Sequence, residues 1–307
     1  MAQTSKVWMN LEYLSLMGLE RLTKFDLYHN NNTGMHSNYK YSWALPFEKL
    51  NNPVEITHVL QQIWFFSIPA SIMYYWFMKK IQAAMRDRPP FRLTLLLFLW
   101  NASLALFSAV ALFRFSEDFI QTWKTYGFTY TVCRTCNPDD VAGFWSFAFG
   151  ASKIVELGDT MFIVLRKKPL IFLHYYHHAA VLIYSSHSAA EHAAPAQIYG
   201  IMNLVAHAIM YTYYAYTATG KRPYKWISMS VTTIQTTQMF LGVLVTCYVY
   251  YLKVFRPDIP CQQSMSNLYL AFFLYLTFAI LFVQFFVNAY IKKINKHYYD
   301  IKAKKIE

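Results

Sequence analysis

The chain has 307 residues, of which 56% are hydrophobic, 19% are aromatic and only 14% are charged. Because soluble domains typically carry about 25% charged residues, this composition argues against a soluble globular protein and favours a polytopic membrane protein. The net charge of +12 could instead indicate nucleic-acid binding, so the positions of the basic residues decide between these two classes.

Several apolar segments are long enough for membrane helices, which need about 20 residues to cross a bilayer. They lie at residues 57–78, 93–113, 141–165, 170–187, 196–217, 226–252 and 267–291. We therefore predict an all-α, polytopic membrane protein with seven transmembrane helices. The prediction divides the chain into an N-terminal segment (1–56), a membrane domain (57–291) and a basic tail (292–307).

The basic residues predict the orientation of these helices. Of the 28 lysines and arginines, 17 lie in the first, third and fifth connections and in the tail. By the positive-inside rule this side is cytosolic, so the N-terminus is lumenal and the C-terminus cytosolic. The net charge therefore reflects membrane topology and gives no support for a nucleic-acid partner.

Both ends of the chain carry short signals that fit this orientation. The sequon that begins at Asn31 would be lumenal and open to glycosylation. The last four residues, KKIE, match the dilysine retrieval signal of membrane proteins of the endoplasmic reticulum. We predict the endoplasmic reticulum membrane as the location.

Three cysteines lie in connections that this topology assigns to the lumen. Cys133 and Cys136 are in the second connection and Cys261 is in the sixth. An oxidising compartment would favour a disulfide between the two loops, and either of the first two cysteines could supply it. Three free thiols are the alternative interpretation.

Polar residues inside the predicted helices indicate a shared chamber. His174, His177 and His178 have i, i+3 and i+4 spacing, which places them on one stripe of a helix. At about 1.5 Å per residue, several polar groups reach a similar depth of roughly 15–20 Å from the cytosolic ends of their helices. These are Asn101, Glu156, His178, His207 and Gln235. Interhelical hydrogen bonding is the simpler explanation for each one alone, but their common depth favours a polar chamber.

A buried imidazole is predominantly neutral, so it can act as a nucleophile, a general base or a metal ligand. The spacing HxxHH resembles the boxes of membrane di-iron desaturases and hydroxylases. Those enzymes need more histidines, spread over several boxes, than His174, His177, His178 and His207 supply. We therefore expect metal-free acyl chemistry with no cofactor.

Four sequence blocks together resemble a known family. The stretch KIVELGDTMFIVLRKKPLIFLHYYHH contains two of them, the Lys-x-x-Glu-Leu-x-Asp-Thr pattern and the histidine box. The other two are MNLVAHAIMYTYYAY and TTIQTTQMF. In this order the blocks are similar to those of the very-long-chain fatty acid elongases, the 3-oxoacyl-CoA synthases of the endoplasmic reticulum. The resemblance covers roughly residues 57–291 and leaves out the N-terminal segment.

The resemblance implies a fold and a reaction. Six of seven helices would enclose an acyl tunnel, and Cys133 would pair with Cys261. The enzyme would condense a long-chain acyl-CoA with malonyl-CoA, releasing carbon dioxide and CoA, and the compact linker before the box is similar to the subgroup for saturated and monounsaturated chains. The ketoreductase, dehydratase and enoyl reductase of the elongation cycle would be partners, beside membrane lipid, and a homodimer is allowed.

The same resemblance implies roles for the polar residues. His177 would carry the acyl group as an acyl-imidazole, His207 would assist it, and His174 and His178 would fix its orientation. Polar support would come from Asn203, Gln235 and Gln238. Lys153, Glu156 and Asp159 are three residues apart, which predicts one internal ion network that would serve as the scaffold of the site. Tyr211 and Tyr214 lie between the chamber and the cytosolic mouth, where Arg166, Lys167 and Lys168 are available for CoA phosphates. These basic residues could also serve topology alone.

Two alternatives remain for the function. A metal-dependent fatty acyl desaturase or hydroxylase would also use a histidine box. A seven-helix receptor, a different class of protein, would have the same topology but would not require the box or the retrieval tail.

Overall fold

The computed structural model describes Leu22, Phe25 and residues 35–292. In this part of the chain it contains ten α-helices and no β-strand, so the predicted all-α fold is confirmed. The predicted glycosylation site at Asn31 and the KKIE signal lie outside the described residues.

The helices follow the predicted segments in order. They are α1 (Pro53–Ile63), α2 (Ser67–Ala84), α3 (Thr94–Tyr126), α4 (Phe128–Cys133), α5 (Val141–Glu156), α6 (Gly158–Leu165), α7 (Phe172–Glu191), α8 (Ala196–Ala218), α9 (Lys225–Phe255) and α10 (Met265–Phe286). The segment 57–78 corresponds to α1 and α2, and the segment 141–165 corresponds to α5 and α6. The helix α10 continues into a short π-helical turn, Val287–Ile291.

Three of the described helices are long and apolar enough to cross a membrane. They are Thr94–Tyr126, Lys225–Phe255 and Met265–Ile291, with mean hydropathies of 2.1, 1.4 and 2.4. Many of their large apolar side chains, such as Leu95, Phe113 and Phe273, are exposed on the protein surface, as expected for helices in contact with lipid. The protein is therefore a multi-pass membrane protein.

The helix α3 extends well beyond the predicted segment 93–113. Arg114 and Asp118 lie just beyond the predicted segment, and charged side chains are costly in a membrane helix. In the structure both are buried, and the N-terminal segment and α8 supply their partners. Asp118 accepts hydrogen bonds from Ser37 and Gln197, at 2.9 and 2.7 Å. Since these charges are satisfied inside the protein, the helix continues to Tyr126.

The histidine helix α7 lies at the centre of the fold. It packs against α1, α2, α5 and α10, while α3 pairs with α8 and α9 pairs with α10. The loops at one end of α7 are joined by a disulfide between Cys133 and Cys261, the pair that the family resemblance implies. Cys136 is a buried free thiol.

A buried ion pair fastens the N-terminal segment to α3. Arg114 donates to Glu48 through Nη2 at 2.7 Å and through Nε at 2.8 Å, and the side chains are 3% and 0% exposed. Trp145 and the amide of Leu45 also donate to this carboxylate, at 2.8 and 2.9 Å. Burial raises the pKa of Glu48, but the hydrogen bonds from Arg114, Leu45 and Trp145 outweigh burial and lower the pKa to about 2.

This pKa predicts an acid-sensitive contribution to stability. Because the pKa of Glu48 is depressed in the folded state, its contribution is complete above the ordinary value of 4.5 and is lost as the pH falls towards about 2. We expect Glu48→Gln to lower the free energy of unfolding by roughly 3 kcal/mol at neutral pH. Thermal unfolding in detergent should show this difference shrinking on acidification. Glu55→Gln, at the exposed start of α1, is the control and should change stability little; a pH-independent Glu48→Gln effect would contradict the assignment.

Candidate active site

The three box histidines lie on one stripe of α7. The rings of His174 and His178 are 4.5 Å apart, and those of His177 and His178 are 5.7 Å apart, measured between centroids. The helix begins at Phe172, after the turn that contains Pro169, and continues for 20 residues. The box therefore lies near the start of the central helix, close to the basic connection 166–168.

Two cavities meet at His177. The larger, of about 520 Å³, lies between α3 and the helices α6 to α10 and is polar on several sides. The smaller, of about 120 Å³, is mostly apolar and extends along α7 towards the opposite end of the fold. His177, Asn203, Gln238 and Met239 line both cavities. An imidazole at this junction can contact a polar group in one cavity and an apolar chain in the other.

The larger cavity brings together most of the predicted site residues. Its lining includes Asp159, Arg166, Lys168, His174, His177, His178, Asn203, His207, Tyr211, Tyr214, Gln235 and Gln238. The side-chain amide of Gln235 donates to the sulfur of Met210 at 3.0 Å, which holds α9 against α8. Lys153 and Glu156 lie behind the lining and act on it through hydrogen bonds.

A closed ring of polar contacts orients His207. The ammonium of Lys153 donates to Glu156 at 2.7 Å and to the amide oxygen of Asn203 at 2.8 Å. The amide nitrogen of Asn203 lies 3.2 Å from Nε2 of His207, and Nδ1 of His207 lies 3.5 Å from Oε1 of Glu156. Four buried side chains thus connect α5 to α8.

The same contacts define the tautomer of His207. Lysine can only donate, so the amide atom of Asn203 that faces Lys153 must be the oxygen. The amide nitrogen then donates to Nε2 of His207, which must accept. Nδ1 therefore carries the hydrogen and is directed towards the carboxylate of Glu156. A carboxylate behind an imidazole N–H is the arrangement that holds a histidine in one orientation at many active sites.

Asp159 belongs to a second, separate group. Trp100 donates to one carboxylate oxygen at 2.6 Å and Tyr211 donates to the other at 2.7 Å. His178 approaches the same oxygen as Tyr211, at 4.0 Å. The indole of Trp100 reaches this position because residue 158 is glycine: a Cβ there would lie 2.7 Å from the Trp100 ring.

The outermost box histidine is held from a third direction. Nε2 of His174 lies 2.9 Å from the hydroxyl of Thr160, which also hydrogen-bonds the hydroxyl of Tyr74 on α2. His174 and His178 are thus each positioned by a neighbouring helix, α6 in both cases.

His177 differs from the other box histidines. Its Nδ1 is buried and has no hydrogen-bond partner among the described residues. Its ring instead packs against Phe278, with centroids 4.6 Å apart, and approaches Phe282. The structure therefore leaves this imidazole without the polar partners that engage the other histidines.

The three basic residues of the third connection separate in the structure. Arg166 and Lys168 line the larger cavity. The ammonium of Lys167 instead donates to the backbone carbonyls of Arg86 and Arg88, at 2.8 and 2.9 Å. Lys167 thus ties two connections together, which differs from the expected role at a phosphate.

Sequence reasoning missed Trp100 and Tyr74 as supports of the site. Trp100 donates to Asp159 on α6, and the hydroxyl of Tyr74 forms a hydrogen bond with that of Thr160 on the same helix. Aromatic residues are common throughout this chain, so their positions alone carry no signal. The glycine next to Asp159 was the available clue, because it allows another element to approach closely.

Metal binding would need several donors directed at one point. Among residues 22, 25 and 35–292, no group of three or more His, Cys, Asp or Glu side chains could hold a metal ion. His174 and His207 have ring nitrogens within hydrogen-bond distance of Thr160 and Asn203. Asp159 is engaged by two donors.

Several known proteins are similar to this chain over most of their length. A family profile described as ELO: GNS1/SUR4 family matches residues 59–298. The chain is 54% identical over 281 residues to "Putative fatty acid elongase 4" of Caenorhabditis elegans, which covers 92% of this chain and 96% of that protein. It is 38% identical over 233 residues to very long chain fatty acid elongase 3 of Homo sapiens, covering 76% and 85% respectively. It is 36% identical over 258 residues to very long chain fatty acid elongase 6 of Drosophila melanogaster, covering 82% and 80%. The extent of the profile match and these identities show that the chain belongs to the ELO (GNS1/SUR4) family.

Proposed function

We propose that this protein is a fatty acid elongase, an acyltransferase of the 3-oxoacyl-CoA synthase class. It joins a long-chain acyl-CoA to malonyl-CoA in the biosynthesis of very-long-chain fatty acids. Support comes from the family and from the names of its relatives. The single structural observation that carries the proposal is the position of His177 at the junction of a polar and an apolar cavity.

The first half-reaction would transfer the acyl group to His177. A lone pair on one ring nitrogen attacks the thioester carbonyl and forms a C–N bond, and the C–S bond breaks. The leaving CoA thiolate takes up the ring proton, so free CoA and a neutral acyl-imidazole result. The alkyl chain would occupy the apolar cavity, where burial contributes about 0.8 kcal/mol per CH2. The same chain would exclude water from the acyl-imidazole, which hydrolyses readily.

The second half-reaction would form the carbon–carbon bond. Malonyl-CoA loses carbon dioxide, and the electron pair that remains forms an enolate. The enolate attacks the acyl carbonyl, the C–N bond breaks, and the leaving imidazolate of His177 takes up a proton from solvent, which restores the neutral ring. The products are a 3-oxoacyl-CoA two carbons longer and carbon dioxide. His207 would assist by stabilising the negative charge that develops at the thioester or enolate oxygen. In the structure both of its ring nitrogens are engaged, Nδ1 by Glu156 and Nε2 by Asn203, so this role requires that the substrate oxygen replaces Asn203 and that Nε2 carries a proton.

The surrounding residues would bind and orient the substrates. His174 and His178 fix the helix stripe that carries His177, while Asn203, Gln235 and Gln238 offer polar support. Arg166 and Lys168 are the phosphate partners at the mouth of the larger cavity, with Tyr211 and Tyr214 on the path inwards.

The membrane arrangement that fits this reaction has seven spans. We propose that these spans cross the membrane of the endoplasmic reticulum. Two of them consist of paired helices, α1 with α2 and α5 with α6. The other five are single helices: α3, α7, α8, α9 and α10. Six of these spans would enclose the acyl tunnel. The N-terminus would be lumenal and the C-terminus cytosolic, so that the CoA groups bind from the cytosol. This orientation follows from the basic connections and supports cytosolic supply of both substrates.

The substrate class and partners extend the same proposal. The linker before the box favours saturated and monounsaturated acyl chains. A ketoreductase, a dehydratase and an enoyl reductase must process the 3-oxoacyl-CoA before another cycle, and a homodimer is compatible with the fold. Family membership favours this function over a seven-helix receptor, and the hydrogen bonds that engage His174 and His207 favour it over a metal-dependent desaturase.

An assay with purified protein tests the reaction. Incubation with a panel of acyl-CoAs and labelled malonyl-CoA should release labelled 3-oxoacyl-CoA, because the proposed chemistry needs no other substrate. The product is detected by mass spectrometry as an acyl-CoA two carbons longer than the substrate. Absence of product with every acyl-CoA, from protein that remains folded in detergent, would contradict the function.

A chelator provides the control for metal dependence. Since the proposed steps use only imidazole, carboxylate and amide groups, the condensation rate should remain the same after treatment with a strong chelator. Stoichiometric iron that is removed together with the activity would favour the desaturase alternative.

A further inference from the structure

The far end of the apolar cavity is lined by residues that precede the family-matched region. Leu50, Pro53, Ile56 and Thr57 all line this cavity, and all lie before residue 59, where the family profile begins. Part of the cavity wall is therefore supplied by the N-terminal segment and the first turns of α1, before the residue at which the family profile begins.

Geometry places this wall far from the reacting histidine. The hydroxyl of Thr57 lies 2.7 Å from Nε2 of His192, which follows the last residue of α7. His192 is 15 residues beyond His177, so the two are about 22 Å apart along the helix axis. A chain that begins at His177 and follows α7 would reach residues 50–57 with its terminal carbons.

Two anchors hold the wall in place. The first is the buried contact of Glu48 with Arg114 and Trp145, only two residues before Leu50. The second is an isolated β-bridge between His36 and Thr135. The backbone amide of Ser37 donates to the carbonyl of Thr135 at 2.7 Å, and the amide of Thr135 donates to the carbonyl of Met35 at 3.0 Å.

These anchors connect the wall to the rest of the fold. Thr135 lies two residues after the disulfide-bonded Cys133, and Arg114 belongs to α3. Both anchors lie before residues 50–57, and the hydrogen bond between Thr57 and His192 holds this segment at its other end. Moving residues 50–57 away from the cavity would therefore disturb the buried ion pair or this hydrogen bond, which is costly. The segment therefore acts as a fixed end to the cavity.

We infer that residues 50–57 set the longest acyl chain that the protein accepts, by closing the apolar cavity opposite His177. The inference rests on the proposed function, since it assigns that cavity to the acyl chain. Ile56 is the residue to test, because it is half-buried on α1 and its side chain lines the cavity.

The experiment changes the size of this side chain in both directions. Ile56→Ala should allow an acyl-CoA two carbons longer than the wild-type limit to react about tenfold faster than it does with wild type. Ile56→Trp should slow the longest wild-type substrate by about tenfold. Pockets discriminate by roughly this factor or more for each methylene that they exclude. The readouts are condensation with saturated acyl-CoAs in two-carbon steps, and thermal stabilisation by the same acyl-CoAs.

The matched control is Ile63→Ala. It removes the same atoms from the same helix, but Ile63 is 45% exposed and lies outside the cavity lining. This variant should keep the wild-type length profile. Thermal unfolding without ligand verifies that all three variants are folded.

The two readouts separate the inference from the proposed function. Thermal stabilisation by acyl-CoA needs no turnover. If the acyl length that stabilises best changed in the Ile56 variants while no protein catalysed condensation, residues 50–57 would still set the chain length, but the elongase reaction would be contradicted. An unchanged length profile in both Ile56 variants would overturn the inference, even if total activity changed.

Discussion

Replacing His177 with alanine is expected to abolish condensation, with a loss on the order of 10³-fold or more, since removal of a covalent nucleophile has effects of at least this size. Four described residues line both cavities, and His177 is the only imidazole among them, so Asn203, Gln238 and Met239 cannot replace it as the acyl carrier. Its polar contacts contribute little to folding, because Nδ1 has no hydrogen-bond partner in the described structure. The loss should appear in the labelled malonyl-CoA assay without loss of folded protein.

Trapping the intermediate makes this result specific to the nucleophile. Wild-type protein incubated with acyl-CoA alone should carry the acyl group on the peptide that contains His177, and His177→Ala should not. His174→Ala is the matched control on the same helix stripe, since it removes a histidine held by Thr160 but leaves the proposed nucleophile. Slower but detectable acylation is expected there. Product formation by folded His177→Ala would rule out the assignment.

Helical spacing predicted the histidine stripe correctly because that stripe lies within one uninterrupted helix, α7. The same spacing failed for Lys153, Glu156 and Asp159, which were expected to form one network. The helix breaks at Leu157, so Asp159 lies on α6. There its carboxylate accepts hydrogen bonds from Trp100 and Tyr211. A three-residue period holds only while the helix continues, and nothing in the period itself reports the break.

Partners from distant parts of the sequence were the other limit. The depth argument placed His207 near Glu156, and the structure brings the two side chains to 3.5 Å. It could not identify which donor faces which acceptor, because a hydrogen bond depends on helix rotation as well as depth. Lys167 illustrates this limit, since it shares a short basic run with Arg166 and Lys168 but donates to carbonyls of another connection. Charge patterns predict the side of the membrane and do not predict individual contacts.

The ring of Lys153, Glu156, Asn203 and His207 combines two roles that mutations can separate. As a buried ion pair, Lys153 and Glu156 satisfy each other, and their side chains are only 2% and 5% exposed. As an acceptor for Nδ1 of His207, Glu156 also fixes the imidazole that would stabilise the reacting oxygen. Removing one charge disrupts both roles, whereas removing both charges should disrupt only the second.

Lys153→Met is therefore expected to cost about 3–5 kcal/mol of unfolding free energy, because it leaves the Glu156 carboxylate buried without its cation. The double variant Lys153→Met, Glu156→Leu should recover most of this stability, since it buries no unpaired charge. Its condensation rate should stay low, because His207 has lost its acceptor. Unfolding in detergent and the malonyl-CoA assay measure the two quantities, and Arg256→Met, in an exposed ion pair with Asp258, is the control that should change neither. If activity returned together with stability, Glu156 would be a scaffold residue with no part in orienting His207.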